Sequence, residues 1–298
     1  MANYCFSGSF IFIQLILTKR FNSIRIGIGI IVLLVLDLLI VNIMSLTFLN
    51  KGDLINRNQE IIENLSKLPI YFRVYTPSYS IPQEQGAFWN INQINGVDPM
   101  QLKDYVEYFV EVSGIPSEKY SVTLPPFKNG NPVLDNYGIC PEKDSLLDLN
   151  TKYVISSFEL SKCNLGEELK ITNQYLYDLG GNDNYVKFID CESTNTSYNL
   201  IKYSPNEILL DINSCGGLMR LSEINYPGWN VYIDGVKEPL IKGSLFREFN
   251  VSEGFHTIHL KFQPFLVFIS VGIQSFFWIS GIFIIILLKR IENAKDLD

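Results

Sequence analysis

Two long apolar runs bracket this chain, and they limit its possible folds more than any other feature. The first, residues 24–46, reads Ile-Arg-Ile-Gly-Ile-Gly-Ile-Ile-Val-Leu-Leu-Val-Leu-Asp-Leu-Leu-Ile-Val-Asn-Ile-Met-Ser-Leu; the second covers residues 265–288. At a helical rise of about 1.5 Å per residue, each is long enough to cross a hydrocarbon core of roughly 30 Å. Inside lipid the backbone must satisfy its own hydrogen bonds, which a single segment does only as a helix. Both runs are therefore predicted to be transmembrane helices. Lys19, Arg20 and Arg25 flank the start of the first, and Lys289 and Arg290 follow the second. Basic residues stay on the cytoplasmic side, so both outer flanks are predicted to be cytoplasmic and residues 51–263 extracytoplasmic. A shorter apolar run, 4–17, lacks the basic start and small-residue cleavage site of a signal peptide. It reads as a third span, as the end of a longer helix, or as an interfacial segment.

Asp37 sits inside the first span. An ionised carboxylate near the centre of a membrane helix costs about 2.5–3.5 kcal/mol on insertion scales. It should therefore face protein or water, either lining a polar cavity or hydrogen-bonded to a neighbouring helix. Both readings call for further helices, in the same chain or in a multi-span membrane partner. The lipid bilayer is the first partner the sequence implies. A nucleic acid is not, because a net charge of −7 offers no basic face for phosphates.

Four of the five cysteines, Cys140, Cys163, Cys191 and Cys215, fall in the external portion, and Cys5 lies in the N-terminal apolar run. An even number in an oxidising compartment points to disulfides. Three pairings are open; pairing nearest neighbours would close two loops, each worth about 3 kcal/mol. The cysteines lack zinc-type CxxC spacing, and no metal site is expected.

Between the spans the pattern is mixed. Residues 51–67 have the spacing of a short amphipathic helix, and 70–75 that of a strand. Asp98 as N-cap and Pro99 in the first turn predict a helix that Gly114 and Pro116 stop. From Lys152 onward short alternating runs dominate, 207–212 and 218–224 among them as separate strands. Trp229, Val231 and Ile233 alternate with Asn230, Tyr232 and Asp234; Asp234-Gly235 supplies a tight turn; Ser252-Glu253-Gly254 reads as another, before Ile258, Leu260 and Phe262. Such spacing predicts a β-sandwich. The chain thus divides into a short hydrophobic segment (1–22), a transmembrane helix (23–50), a mixed α/β subdomain (51–150), a β-sandwich subdomain (151–264), a second transmembrane helix (265–288) and a cytoplasmic tail (289–298). In fold class it is a membrane-anchored α+β protein. Two transmembrane helices, or three with the N-terminal run, flank a β-rich extracytoplasmic domain.

Chemistry is sparse. His256 and His259, the only histidines, are three apart, which in a strand puts them on opposite faces. They are not expected to share a metal, and the sequence suggests no Ser–His–Asp set around them. Tyr226, Trp229 and Tyr232 offer an aromatic platform for a sugar ring, or core packing. Arg247 suits a phosphate or carboxylate, or a structural ion pair. There is no phosphate-binding loop, dinucleotide fingerprint or nucleophile motif.

Several of these residues also carry a resemblance. Tyr226-Pro-Gly-Trp229, Asp234-Gly235, Phe246-Arg247, Gly254-x-His256 and a strand ending at Pro264 before a terminal membrane helix resemble the C-terminal end of YfhO-family membrane proteins. Arg73-Val74, then Asn95-Gly-Val-Asp-Pro99 with Leu102 and Tyr105, then residues 146–154, together with Asp37-Leu38, resemble further blocks in the family's order. Val97, Glu248 and Phe255 depart from its usual residues. The family is grouped with GT-C type glycosyltransferases, so the resemblance implies cell-surface glycosylation from a polyprenyl-phosphate sugar, with no other cofactor. Asp98, Tyr226, Trp229, Arg247 and His256 become candidate ligand-facing residues. The family's catalytic aspartates belong to an early loop of a many-helix bundle, with no counterpart in these blocks. The expectation is the C-terminal part of such an enzyme, not catalytic alone. The alternative is a stand-alone membrane-tethered β-sandwich that binds a glycan or a protein partner.

Overall fold

The computed structural model describes residues 23–45, 52, 58–116, 121–127, 129–180, 183–191 and 196–295. The apolar run 4–17 and Cys5 lie outside them. The chain divides into two compact units, Met1–Arg57 and Asn58–Asp298.

In the first unit, helix α1 (Ser23–Ser45) is apolar on every side, with Ile31, Leu34, Leu38 and Val41 all more than half exposed. A helix of that kind belongs in a core or in lipid. Its apolar run, Gly27–Ile43, is the shorter of two among the described residues. Asp37 is exposed on its surface.

The second unit opens with α2 (Gln59–Leu65), β1 (Arg73–Tyr75), α3 (Gln83–Trp89), β2 (Asn92–Gln93), β3 (Gly96–Val97), α4 (Lys103–Ser113) and β4 (Thr123–Leu124). Then come α5 (Pro132–Asp135), α6 (Lys143–Asp148), β5 (Thr151–Ser156), β6 (Glu167–Ile171), β7 (Gln174–Asp178), β8 (Val186–Phe188) and β9 (Ser197–Ser204). It closes with β10 (Glu207–Ile224), β11 (Trp229–Ile233), β12 (Val236–Glu238), β13 (Phe246–Phe262) and α7 (Phe265–Lys295).

Two sheets carry the body. The first has the order β2-β1-β5-β7-β6, with β1 parallel to β2 and β5 and the other pairs antiparallel. The period of two along each strand feeds two cores. Tyr75, Val154 and Tyr177 pack with Phe109, Val112 and Leu146 from α4 and α6, while Val74, Ile155 and Leu176 pack with Ile61, Ile62 and Leu65 of α2. Strands from 151 onward therefore do not all join one another, because β5, β6 and β7 extend the sheet that β1 begins.

The second sheet runs β12-β11-β13-β10-β8, with β9 also on β10. Its spine is the antiparallel pair β10–β13, in one register from Glu207↔Lys261 to Leu221↔Arg247 and shifted before Ile224↔Phe246. One face buries Leu210, Ile212, Met219, Leu221, Phe249, Val251, Ile258 and Leu260. Fully burying each such side chain contributes about 1.5–3 kcal/mol.

Three local expectations are corrected. Ser252-Glu253-Gly254 is not a turn, and 207–212 and 218–224 are not separate strands. Gly216, Gly217 and Gly254 take positive φ of 84°, 97° and 121° inside the paired strands, so the chain runs on through them where a reversal was expected. The helix expected from Asp98 starts at Lys103. The Asp98 N–H is held by Val122 O at 2.8 Å as the β3–β4 pair ends, and its side chain caps a turn at Met100 N–H. Gly114, at φ 67°, does end that helix.

Cys140, Cys163, Cys191 and Cys215 are paired as nearest neighbours, Cys140–Cys163 and Cys191–Cys215, with Cα–Cα distances of 5.2 and 6.2 Å. Within α7, residues Phe265–Leu287 have a mean hydropathy of 2.0 and no burial, and among the described residues this is the one helix long and apolar enough to cross a membrane. The chain is a mixed α+β protein with a β-rich body and an apolar C-terminal helix.

Candidate functional site

The loop 94–102 that leads into α4, the start of α3, Ile224 at the end of β10, and Tyr226 just beyond it line a cleft of about 360 Å³. Its shape depends on missing Cβ atoms. The Gln93 and Gln83 carboxamides lie against Gly86 and Gly96, in the space a Cβ would take, so a larger residue there would push these carboxamides aside. Asn95 is committed to Thr76, accepting from its N–H at 2.8 Å and donating to its hydroxyl at 2.9 Å. The Tyr105 hydroxyl donates to Ile94 O at 2.7 Å, and burial pushes its pKa up, so it stays a donor.

Three groups are left for a ligand. Asp98 uses one carboxylate oxygen on Met100 N–H at 2.8 Å, and the other takes no donor among the described residues. Gln101 buries Nε2 without an acceptor, an unmade bond that costs about 1–3 kcal/mol. The Tyr226 ring is 47% exposed. Among the described lining residues there is no lysine or arginine.

Behind Ile224 lies a buried charged cluster. Arg73 bonds Glu223 at 2.9 Å and the carbonyls of Leu149 and Ser222 at 2.9 and 2.6 Å. Tyr203 donates to the same Glu223 oxygen at 3.1 Å. Arg247 donates Nε–H to Ile224 O at 3.2 Å and lies 3.6 Å over the Trp229 ring. Burial lowers the Arg247 pKa, and its Nη1 has no partner. Arg247 and Trp229 therefore pack and position Ile224, and neither lines the cleft.

The Tyr226 side of the cleft is fastened to the foot of α7. Gly228 adopts φ 113°, and a Cβ there would meet the Phe262 ring and Pro264. Its carbonyl accepts from Gln263 N–H at 2.7 Å, and the Tyr226 and Phe262 rings are 6.1 Å apart. The Tyr-Pro-Gly-Trp stretch thus joins the cleft to the start of the apolar helix.

His256 stands elsewhere, on the β11–β12 hairpin side of β13. Its Nδ1 meets Asp234 Oδ2 at 2.7 Å, its Nε2 meets Ser252 Oγ at 3.0 Å, and Asp234 Oδ1 accepts from Thr257 N–H at 2.9 Å. This is the connectivity of a Ser–His–Asp triad, an arrangement the sequence does not suggest because hairpin register brings Asp234 to the strand. The Asp234 side chain is 53% exposed, so water competes for it, and the set ties the turn to β13. The imidazole and the Thr257 N–H hold the Asp234 carboxyl below its usual pKa. His259 pairs separately with Glu207 at 2.7 Å. No cluster of metal-ligating side chains occurs among the described residues.

Of the candidate residues, Asp98 and Tyr226 meet at one cleft, Arg247 and Trp229 stand behind it, His256 lies outside it, and Asp37 belongs to the other unit. Gln101 and Ile224 carry no sequence signal, since a glutamine or an isoleucine is ordinary until the fold places it. No family model, no curated protein and no solved structure matches the chain.

Proposed function

We propose that the chain is a membrane-anchored, extracytoplasmic module that holds a saccharide in the 94–102/Tyr226 cleft. On this reading it is the C-terminal part of a YfhO-like, GT-C type glycosyltransferase, serving cell-surface glycosylation from a polyprenyl-phosphate sugar and not catalytic by itself. The observation that carries it is the cleft: a free carboxylate oxygen, an unmet amide donor and an exposed tyrosine face, fastened to the foot of α7. A carboxylate and an amide suit hydroxyls, and an aromatic face suits the C–H side of a pyranose. The position next to the apolar helix suits a sugar presented at a membrane surface. Two spans with cytoplasmic flanks complete the proposal, and Asp37 marks the first as the contact to a multi-span partner.

The second reading is the stand-alone tethered module. It is favoured by one observation: every lining residue of the cleft belongs to the unit Asn58–Asp298.

The test is saccharide binding to the full chain, solubilised in a detergent without a sugar head group and followed by ligand-observed NMR. Binding lost on Asp98→Ala and Tyr226→Ala, with the unfolding temperature unchanged, is expected. No binding across a broad panel overturns the proposal. A multi-span protein that co-purifies with the chain, and is lost on Asp37→Leu, favours the enzyme-part reading; saccharide binding by a chain that purifies alone favours the module.

A further inference from the structure

We infer that the cleft selects the neutral, hydroxyl-bearing face of a saccharide and rejects anionic sugars, so that the phosphate of a lipid-linked sugar is held outside it. This rests on the saccharide reading above and narrows it.

The argument starts from what the lining offers. Its one charged residue among those described is Asp98, which is exposed and whose second oxygen is open to a donor from a ligand. Gln101 Nε2 is a buried donor in want of an acceptor. A pair of hydroxyls answers both, because a hydroxyl gives a proton with one hand and lone pairs with the other. An ionised phosphate or carboxylate has no proton to give Asp98 and sets a second negative charge beside it, with no cation among the described lining residues to offset the repulsion.

Positive charge is close by but committed. Arg73 is taken by Glu223 and two carbonyls, and Arg247 by Ile224 O and the Trp229 face. Neither guanidinium lines the cleft. The protein therefore keeps its two buried cations behind the wall and presents a carboxylate in front of it. Tyr226 supplies a surface on which a ring can lie. A peptide amide also combines donor and acceptor, but it has no ring face to lay on that tyrosine.

The experiment compares matched probes on the detergent-solubilised full chain: methyl hexopyranosides and a neutral disaccharide, glucuronic acid, a hexose 1-phosphate, and a dipeptide amide. The neutral sugars should bind with little dependence on salt, and the two anionic sugars at least about tenfold more weakly. Asp98→Asn should narrow that gap by admitting the anionic sugars. Gln101→Leu should weaken all sugars alike while the unfolding temperature stays the same or rises, since the unpartnered amide is removed. An anionic sugar that binds as well as its neutral match, or a gap unmoved by Asp98→Asn, overturns the inference and leaves the saccharide reading standing. Binding of the dipeptide amide alone, or of no probe, overturns both.

Discussion

Glu223 is the residue on which the interior behind the cleft depends. It is the only carboxylate bonded to Arg73 among the described residues, and it also lowers the cost of Arg247, 5% exposed and without an acid of its own. Removing one partner of a buried ion pair strands the other, at about 3–5 kcal/mol. Here two cations would be stranded, so Glu223→Ala should lose at least that much in urea unfolding. Arg247→Met removes instead a charge whose Nη1 already lacks a partner and keeps most of the volume over Trp229. It should cost less, about 1 kcal/mol or under. If the two variants unfold alike, the cluster is not held by Glu223. The arginine's role was only half visible in the sequence. A motif arginine beside an aromatic invites a ligand, whereas the fold turns it inward because the β10–β13 register sets Leu221 opposite Arg247 and brings the guanidinium to Ile224 O.

The hairpin β11–β12 is a lock with an acid limit. Asp234 takes φ 51° at the turn, and its carboxylate receives His256 and the Thr257 N–H, which hold its pKa below the ordinary 3.8. A group whose folded pKa is depressed contributes stability that is present above the unfolded value and lost as pH falls through the folded one. The contribution of Asp234 is therefore intact near neutrality and is lost progressively as the pH falls from about 3.8 through the lower folded value. Because the group is half exposed, the effect is small. Asp234→Asn should lower the melting temperature by no more than about 2–4 °C at pH 6, and the difference should shrink steadily as the pH is taken below 3.8. A difference that persists in acid would mean that the turn, not the charge, is what the substitution disturbs. This hairpin was legible from Asp-Gly and the alternation around it. The long ribbon was not, because glycine signals a reversal and a positive φ within a strand with the same letter, and only pairing across the strand separates Gly216, Gly217 and Gly254 from a loop. The helix start was missed for a related reason: the strand pair β3–β4 claimed Asp98 before the helix did. Of the cleft, Asp98 and Tyr226 were legible as motif residues; that they face one another's space follows from a sequence separation no local pattern spans.

At the scale of the whole molecule, the two disulfides and the apolar helix argue together. Cys140–Cys163 and Cys191–Cys215 close loops with sequence separations of 23 and 24 residues, each worth about 3 kcal/mol in an oxidising compartment and nothing in a reducing one. The body that carries them runs through Pro264 directly into α7, whose basic Lys289 and Arg290 favour the cytoplasmic side. A body outside and a tail inside satisfies both the redox and the charge rule; a cytoplasmic body breaks both at once. The proposed topology therefore predicts a labelling pattern. In intact cells, a membrane-impermeant phosphine followed by an impermeant maleimide should modify all four of these cysteines. The maleimide without the phosphine should modify none, while a protease added outside should spare an epitope after Lys295. Labelling that appears only after lysis, with or without the reductant, would place the body in the cytoplasm with free thiols. The saccharide cleft would then face the wrong side of the membrane for cell-surface glycosylation, and the enzyme-part reading would fall with the topology.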